Sequence, residues 1–264
     1  MDPNGRIAVV TGAAGGIGGA LVRALAGAGA RAVVATDLEE PVIEAGPPTR
    51  IVPRQLDVTD EVATRDLVAD IEASIGPVDL WFANAGLAGR GGPDVADSVW
   101  EAQWQVNVMA HVHAARALLP GWTARGEGHL ITTASMAGLL TTLGDGVYAA
   151  TKHAAVGWAE WLAITYGAQG IRVSCVCPGA VDTAMLRAGT GGDAAKAATV
   201  IGGGEVLAPD AAAARILAAV AEDRFLIFTH PEMQGLVVRK AQEPDRWIRG
   251  MQGLWARTQE LLQD

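Results

Sequence analysis

Short apolar runs alternate with helix-length segments, a glycine-rich turn closes the first of those runs, and 50% of residues are hydrophobic against 19% charged. Together these observations predict an α/β fold, because strands alternating with helices pair in parallel and are covered on both faces. The expectation is one doubly wound Rossmann-type domain over residues 1–264, with a seven-stranded, mainly parallel sheet and helices on both faces. A chain of 264 residues lies near the upper end for one such domain, well above the size at which core burial is marginal. It shows neither an internal repeat nor a second domain.

Ile7 to Val10 reads as the first strand, and Ile17 to Ala28 as a helix of small and apolar residues at helical spacing. Ala32 to Thr36, Arg50 to Leu56, Val78 to Ala83, His129 to Ala134, Ile171 to Cys177 and Arg224 to Phe228 supply six further strands. Pro41, Pro47 and Pro48 crowd the link between the second and third strands, so that crossover is abbreviated. Asp60 to Ile75, Ser98 to Leu119 and Val147 to Gly167 read as full helices, the first capped by Thr59 or Asp60. Glycines 189, 191, 192, 202, 203 and 204 mark a flexible flap over about 183–208, and Pro209 opens an alanine-rich helix beyond it. An amphipathic helical tail with Trp247 and Trp255 occupies about 231–264.

A net charge of −9 with scattered Lys and Arg argues against a nucleic-acid partner. No apolar run reaches the roughly 18–20 residues of a membrane span, so no membrane partner is expected. The first residues lack the basic and apolar regions of a signal peptide, which places the expected location in the cytoplasm. Cys175 and Cys177 share one face of a strand and read as core thiols rather than a disulfide. The five histidines form no cluster with metal-ligand spacing, so no metal is expected.

The turn Thr11-Gly12-Ala13-Ala14-Gly15-Gly16-Ile17-Gly18 sits where a strand hands over to a helix. Glycine there lets the backbone turn sharply and leaves the helix N-terminus open to a pyrophosphate. Asp37 ends the second strand 19 residues past Gly18, near the offset of a carboxylate that binds the adenosine ribose. A carboxylate repels a 2′-phosphate, and neither Leu38, Glu39 and Glu40 nor the turn supplies a cation to neutralise one. The expected cofactor is therefore NAD.

Tyr148 and Lys152 lie four apart on one face of a helix. A nearby ammonium favours the ionised phenol and brings its pKa toward the working range of a general base. Ser135 stands just past the fifth strand, at the carboxyl edge where ligands bind in open α/β sheets.

With these residues in place the chain resembles the short-chain dehydrogenase/reductase superfamily, in its branch of about 250 residues. The resemblance rests on the TGxxxGxG turn, Asp57, Asn84-Ala85-Gly86, Asn107, Ser135, Tyr148-x-x-x-Lys152 and Pro178-Gly179 followed by Thr183, over residues 7 to about 183. It implies that Tyr148 is the general acid/base and that Ser135 orients the substrate oxygen. It also implies that Lys152 binds the nicotinamide ribose and lowers the Tyr148 pKa, and that Asn107 holds a relay water. Gly12, Ala14, Gly15, Gly16, Ile17 and Gly18 would carry the pyrophosphate, Asp37 and Leu38 the ribose, and Asp57 and Val58 the adenine. Asn84, Ala85 and Gly86 would pack along the adenosine side, and Pro178, Gly179, Val181 and Thr183 would meet the nicotinamide. Ala83 departs from the pattern, since many relatives carry a second Asn there.

The resemblance places the substrate against Met136, Ala137, Leu139 to Leu143 and Ala184 to Leu186, with Met136, Leu143, Met185 and Leu186 as its principal walls. Most are apolar, which implies a hydrophobic secondary alcohol or ketone without phosphate or carboxylate. It further implies an NAD-dependent alcohol dehydrogenase or carbonyl reductase, assembled as a homodimer or homotetramer through the helices carrying Asn107 and Tyr148. Two other readings compete: a non-catalytic NAD-binding sensor, and a lyase, dehydratase or epimerase on the same fold.

Overall fold

A computed structural model describes residues 1–43, 49–89, 91–190 and 205–263. Seven strands, β1 (Ile7–Thr11), β2 (Ala32–Asp37), β3 (Arg50–Gln55), β4 (Leu80–Ala83), β5 (Gly128–Thr133), β6 (Ile171–Cys177) and β7 (Leu226–Phe228), form one sheet. Their order is β3-β2-β1-β4-β5-β6-β7. Every pairing is parallel, so the sheet is wholly rather than mainly parallel. The order reverses between β1 and β4, and this opens a crevice at the carboxyl ends of the strands, where open α/β sheets bind ligands.

Side chains alternate across each strand, and both faces are apolar. One face sends Val9, Val34, Trp81, Leu130 and Val173 into a core shared with α2 (Glu61–Ser74), α4 (Ala110–Arg125) and α6 (Gly146–Tyr166). The other sends Val10, Val33, Phe82, Ile131 and Val176 against α1 (Gly16–Gly27) and the Pro209–Ala221 helix, here α8. Cys175 and Cys177 are buried free thiols on the first face, in keeping with their spacing. Asp60 caps α2 by accepting from the Ala63 N–H at 2.9 Å.

The segment expected as one helix over Ser98 to Leu119 is broken. It runs as α3 (Asp97–Trp104), a π-helical turn Gln105–Met109, and α4, which continues past Pro120 to Arg125. Proline lacks only one N–H, and tertiary packing outweighs that loss here. Trp122 is buried, donates from Nε1 to the Val78 carbonyl at 2.7 Å, and lies so close over Gly128 that a Cβ there would meet the ring at 2.1 Å.

The short helix α5 (Ala137–Leu140) follows Ser135, and α7 (Ala184–Thr190) follows Thr183. The middle of the expected flap, with Gly191, Gly192, Gly202, Gly203 and Gly204, lies outside the described residues, as do Pro47 and Pro48. The tail folds as α9 (Gln234–Gln242) and α10 (Pro244–Gln263). No helix among the described residues is long and apolar enough to cross a membrane.

Candidate active site

The strand ends converge on one hydrogen-bonded edge. The Thr11 hydroxyl accepts from the backbone N–H groups of Asn84 and Ala85, each at 3.0 Å. The Asn84 amide donates to the carbonyls of Thr11 at 3.0 Å and Gly12 at 3.4 Å, and its Oδ1 accepts from the Thr133 hydroxyl at 3.4 Å. Asn84 is thus a clamp across β1, β4 and β5, a role its position after a strand does not reveal. From the same edge the Thr133 carbonyl accepts from Lys152 Nζ at 2.9 Å.

The glycine turn above this clamp has the form of a phosphate cradle. Gly12 has φ +67°, and a Cβ on it would stand 2.8 Å from the Ala85 Cα. A Cβ on Gly18 would sit 2.0 Å from the Gly12 carbonyl oxygen, so both positions exclude any side chain. Ala14 and Gly15 are exposed, and Gly16 and Ile17 start α1 with its N-terminal N–H groups toward the crevice. Asp37 holds the edge of this cradle, accepting from Ala14 N–H at 2.9 Å on one oxygen and from Leu38 N–H at 2.8 Å on the other. Each oxygen keeps a lone pair for a ribose hydroxyl. Leu38 is exposed beside it, and Asp57 is exposed with its carboxylate engaged by Thr59, leaving Val58 partly buried behind. Across the crevice, the Met136 N–H donates to the Pro178 carbonyl at 2.9 Å, Gly179 N–H to the Thr229 hydroxyl at 3.3 Å, and Val181 bridges to Leu207. Thr183 closes over α1, its methyl 3.1 Å from where a Cβ on Gly16 would be. These residues fit a dinucleotide: an open helix N-terminus, a carboxylate at the ribose offset, and glycines that no side chain can replace.

The four residues expected to be catalytic are brought together. Asp145, three residues before Tyr148, caps α6 by accepting from the Tyr148 N–H at 3.0 Å, and its other oxygen accepts from Gly89 N–H at 3.2 Å. Sequence reasoning passed over Asp145, although an Asp three residues before a helical position is a capping signal. Ser135 accepts from the Ala137 N–H on its Oγ at 3.0 Å, and its hydroxyl acts on the Tyr148 phenol, favouring the ionised form. Lys152 is buried, its Nζ 5.6 Å from the centre of the Tyr148 ring. Gly138 permits this approach, since a Cβ there would lie 2.5 Å from the Lys152 carbonyl oxygen.

Asn107 lies in the π-helical turn and is fully buried. Its amide donates to the Leu87 carbonyl at 2.9 Å and the Thr151 hydroxyl at 3.0 Å, while its Oδ1 accepts from the Leu87 N–H at 2.9 Å. The Asn107 side chain is therefore committed to protein partners. It fixes the 84–89 segment against α6.

In the protein alone, burial dominates the electrostatics of the pair. Burial pushes the Tyr148 phenol up to about 12, with the Ser135 hydrogen bond opposing it. The same burial pushes the Lys152 ammonium down to about 8, with Cys175 and Cys177 opposing it. Desolvation is the largest cause of both shifts. Tyr148 is protonated at neutral pH.

The expected substrate walls are only partly where sequence reasoning put them. Met136 is enclosed in the core and supports Ser135 from behind. Leu143 is partly buried, Met185 is exposed, and Leu186 donates its N–H to the Thr183 hydroxyl at 3.3 Å. The tail brings two residues to this region. Lys240 Nζ donates to the Leu139 carbonyl at 2.6 Å, and the Trp255 ring comes within 3.3 Å of a Cβ position on Gly144.

The family model for short chain dehydrogenases matches residues 6–191. The chain is 39% identical over 240 residues to a 1-deoxy-11-beta-hydroxypentalenate dehydrogenase of Streptomyces avermitilis, covering 86% of this chain and 85% of that one. Among solved structures it is similar to a short chain dehydrogenase/reductase of Burkholderia phymatum in complex with NAD, at TM-score 0.80 and 26% identity over 93% of this chain and 96% of that one. A short chain dehydrogenase of Burkholderia cenocepacia in complex with NADP, at TM-score 0.78 and 23% identity over 95% and 99%, shares the fold. This chain belongs to the short chain dehydrogenase family and is an oxidoreductase.

The Lys152 shift has a measurable consequence. A folded pKa of about 8 against 10.5 when exposed means that the unfolded chain binds more protons between those pH values, so stability rises with pH across that window. Tyr148 acts oppositely only above pH 10, its ordinary value. Urea unfolding of the cofactor-free protein between pH 8 and pH 10 should show the native chain gaining about 2 kcal/mol on Lys152→Met, by the value of one pKa unit. A constant gap would mean that Lys152 is not desolvated.

Proposed function

We propose that this family member is an NAD-dependent oxidoreductase that interconverts a hydrophobic secondary alcohol and its ketone, with Tyr148 as general acid/base. The observation that carries the reading is the convergence of Ser135, Tyr148, Lys152 and Asn107 on the same sheet edge as the glycine cradle and Asp37. Bound nicotinamide supplies the hydride acceptor or donor. Gly12, Gly16 and Gly18 would shape the cradle for its pyrophosphate, and Lys152 would hold its nicotinamide ribose.

In the direction of reduction, negative charge develops on the substrate oxygen. The hydroxyl groups of Ser135 and Tyr148 already face one another and can both donate to it, which stabilises that charge most where water is excluded. Tyr148 then delivers its proton, and Lys152 favours the phenolate left behind. In oxidation the same phenol takes the proton from the alcohol. Asp37 favours NAD, because its carboxylate leaves no counter-charge for a 2′-phosphate, and the neighbouring Leu38 offers none.

The substrate body is apolar and of cyclic size, in keeping with Leu143, Met185 and the Trp255 ring. The name of the Streptomyces relative describes a hydroxylated acid. Lys240, from the tail, provides an ammonium beside Leu139, so a distant carboxylate on the substrate is compatible with these walls. We read the protein as cytoplasmic and as a homodimer or homotetramer. Trp104 and Trp161 on α3 and α6 are 43% and 50% exposed, and Ile164 is 76% exposed, an apolar face of the kind that subunits bury.

The test is absorbance of the reduced nicotinamide during a screen of cyclic secondary alcohols, with NAD and with NADP. Turnover should occur with NAD, and Tyr148→Phe should abolish it while leaving NAD affinity within about twofold, since the lost hydroxyl acts on the transition state. Near-native turnover in that variant would remove Tyr148 from the reaction, and NAD binding with no conversion across the panel would favour a sensor. Sedimentation velocity should give a dimer or tetramer; a monomer alone would reject the assembly.

A further inference from the structure

The chain between Ser135 and Tyr148 consists of α5 and the turn 141–145. On the proposed function a hydroxyl at each end of this segment meets the substrate oxygen, so the segment borders the body of the substrate. The tail reaches it at two points. Lys240, on α9, donates from Nζ to the Leu139 carbonyl at 2.6 Å. Trp255, on α10, lies against Gly144, where φ is +75° and a Cβ would stand 3.3 Å from the indole. Between these points Leu236 and Val237 of α9 pack on the core that holds Leu140. Leu139 follows Ser135 by four residues, about 6 Å along a helical path, so a ring system spans the distance from the Ser135 hydroxyl to the ammonium.

That ammonium has no acid. Among the described residues no carboxylate pairs with Lys240, and Glu243, one turn further on, is taken by Arg246 at 2.9 Å. The chain carries 29 acidic residues against 20 Lys and Arg, so the missing partner is not a matter of scarcity. Lys240 is partly buried, and that burial pushes its ammonium down. A cation partly stripped of water is costly without a counter-charge. Capping the last turn of α5 accounts for one of its three N–H groups and leaves two. The stretches 136–143 and 184–186 contain no Lys or Arg of their own, and α9 brings one to the first of them.

We propose that Lys240 is a specificity-determining residue that pairs with a carboxylate at the end of the substrate away from the reacting oxygen. This inference rests on the proposed function and narrows its substrate to a cyclic hydroxy acid. The two N–H groups not given to Leu139 meet the carboxylate, while Leu143 and Trp255 remain as apolar surface for the rings.

The probes are a one-ring and a fused two-ring hydroxycycloalkane carboxylate, each compared with its methyl ester during oxidation with NAD. In the native protein kcat/KM for the acid should exceed that for the ester about tenfold, the scale of a charge-assisted hydrogen bond, with the difference in KM. Lys240→Met should bring the ratio to about one, and Lys240→Arg should keep it. Each ratio is taken within one variant, so a loss of folded protein cancels. A lysine that only caps α5 would affect acid and ester alike and leave the native ratio. A native ratio of about one, or a ratio that survives Lys240→Met, overturns the proposal. Calorimetric titration of the same pairs into the NAD-loaded protein reads the preference without turnover. Binding that favours the acid in the native chain but not in Lys240→Met, with no conversion, would fail the alcohol-oxidation reading and keep the carboxylate site. Equal or absent binding of acid and ester overturns the site.

Discussion

The Asn84 clamp is the constraint on which the rest of the site depends. Parallel strands end at slightly different heights, and the turns leaving them carry backbone groups that no ladder satisfies. Thr11 and Asn84 satisfy those groups for β1 and β4, and Thr133 extends the connection to β5 and so to Lys152. One continuous set of hydrogen bonds therefore runs from the glycine cradle to the Lys152 ammonium. The cradle and the proton-transfer residues come from segments about 140 residues apart in sequence, and this edge holds them in register.

Burial then sets the chemistry. The same packing that encloses Lys152 half-buries Tyr148, raising the phenol and lowering the ammonium. The protein alone thus stores a protonated phenol and an easily neutralised amine. Residues outside the reacting set maintain that state: Asp145 fixes the start of α6, Gly138 lets α5 approach it, and Asn107 ties the 84–89 segment to it.

The order and type of nearly every element were legible in the sequence, because local pattern decides them. Alternating apolar runs gave seven strands, and the turn, Asp37, Ser135 and the Tyr148–Lys152 spacing located the site at the carboxyl edge. What could not be read depends on contacts between distant segments. The π-helical turn at Asn107 replaces a continuous helix, and α4 crosses Pro120 because Trp122 is anchored on Val78. The shift of Tyr148 followed burial, which spacing on a helix does not report. Lys240 meets Leu139 across 101 residues, and Met136, apolar and next to Ser135, turns into the core instead of the pocket.

The most direct measurement is titration of NAD against Asn84→Leu, followed by turnover of the same variant with cofactor in excess. If the clamp joins the cradle to Lys152, both affinity and saturated turnover fall, each by about tenfold or more for a buried polar network that loses its centre. Native affinity together with native turnover would show that the two halves of the site are held independently, and would contradict the clamp.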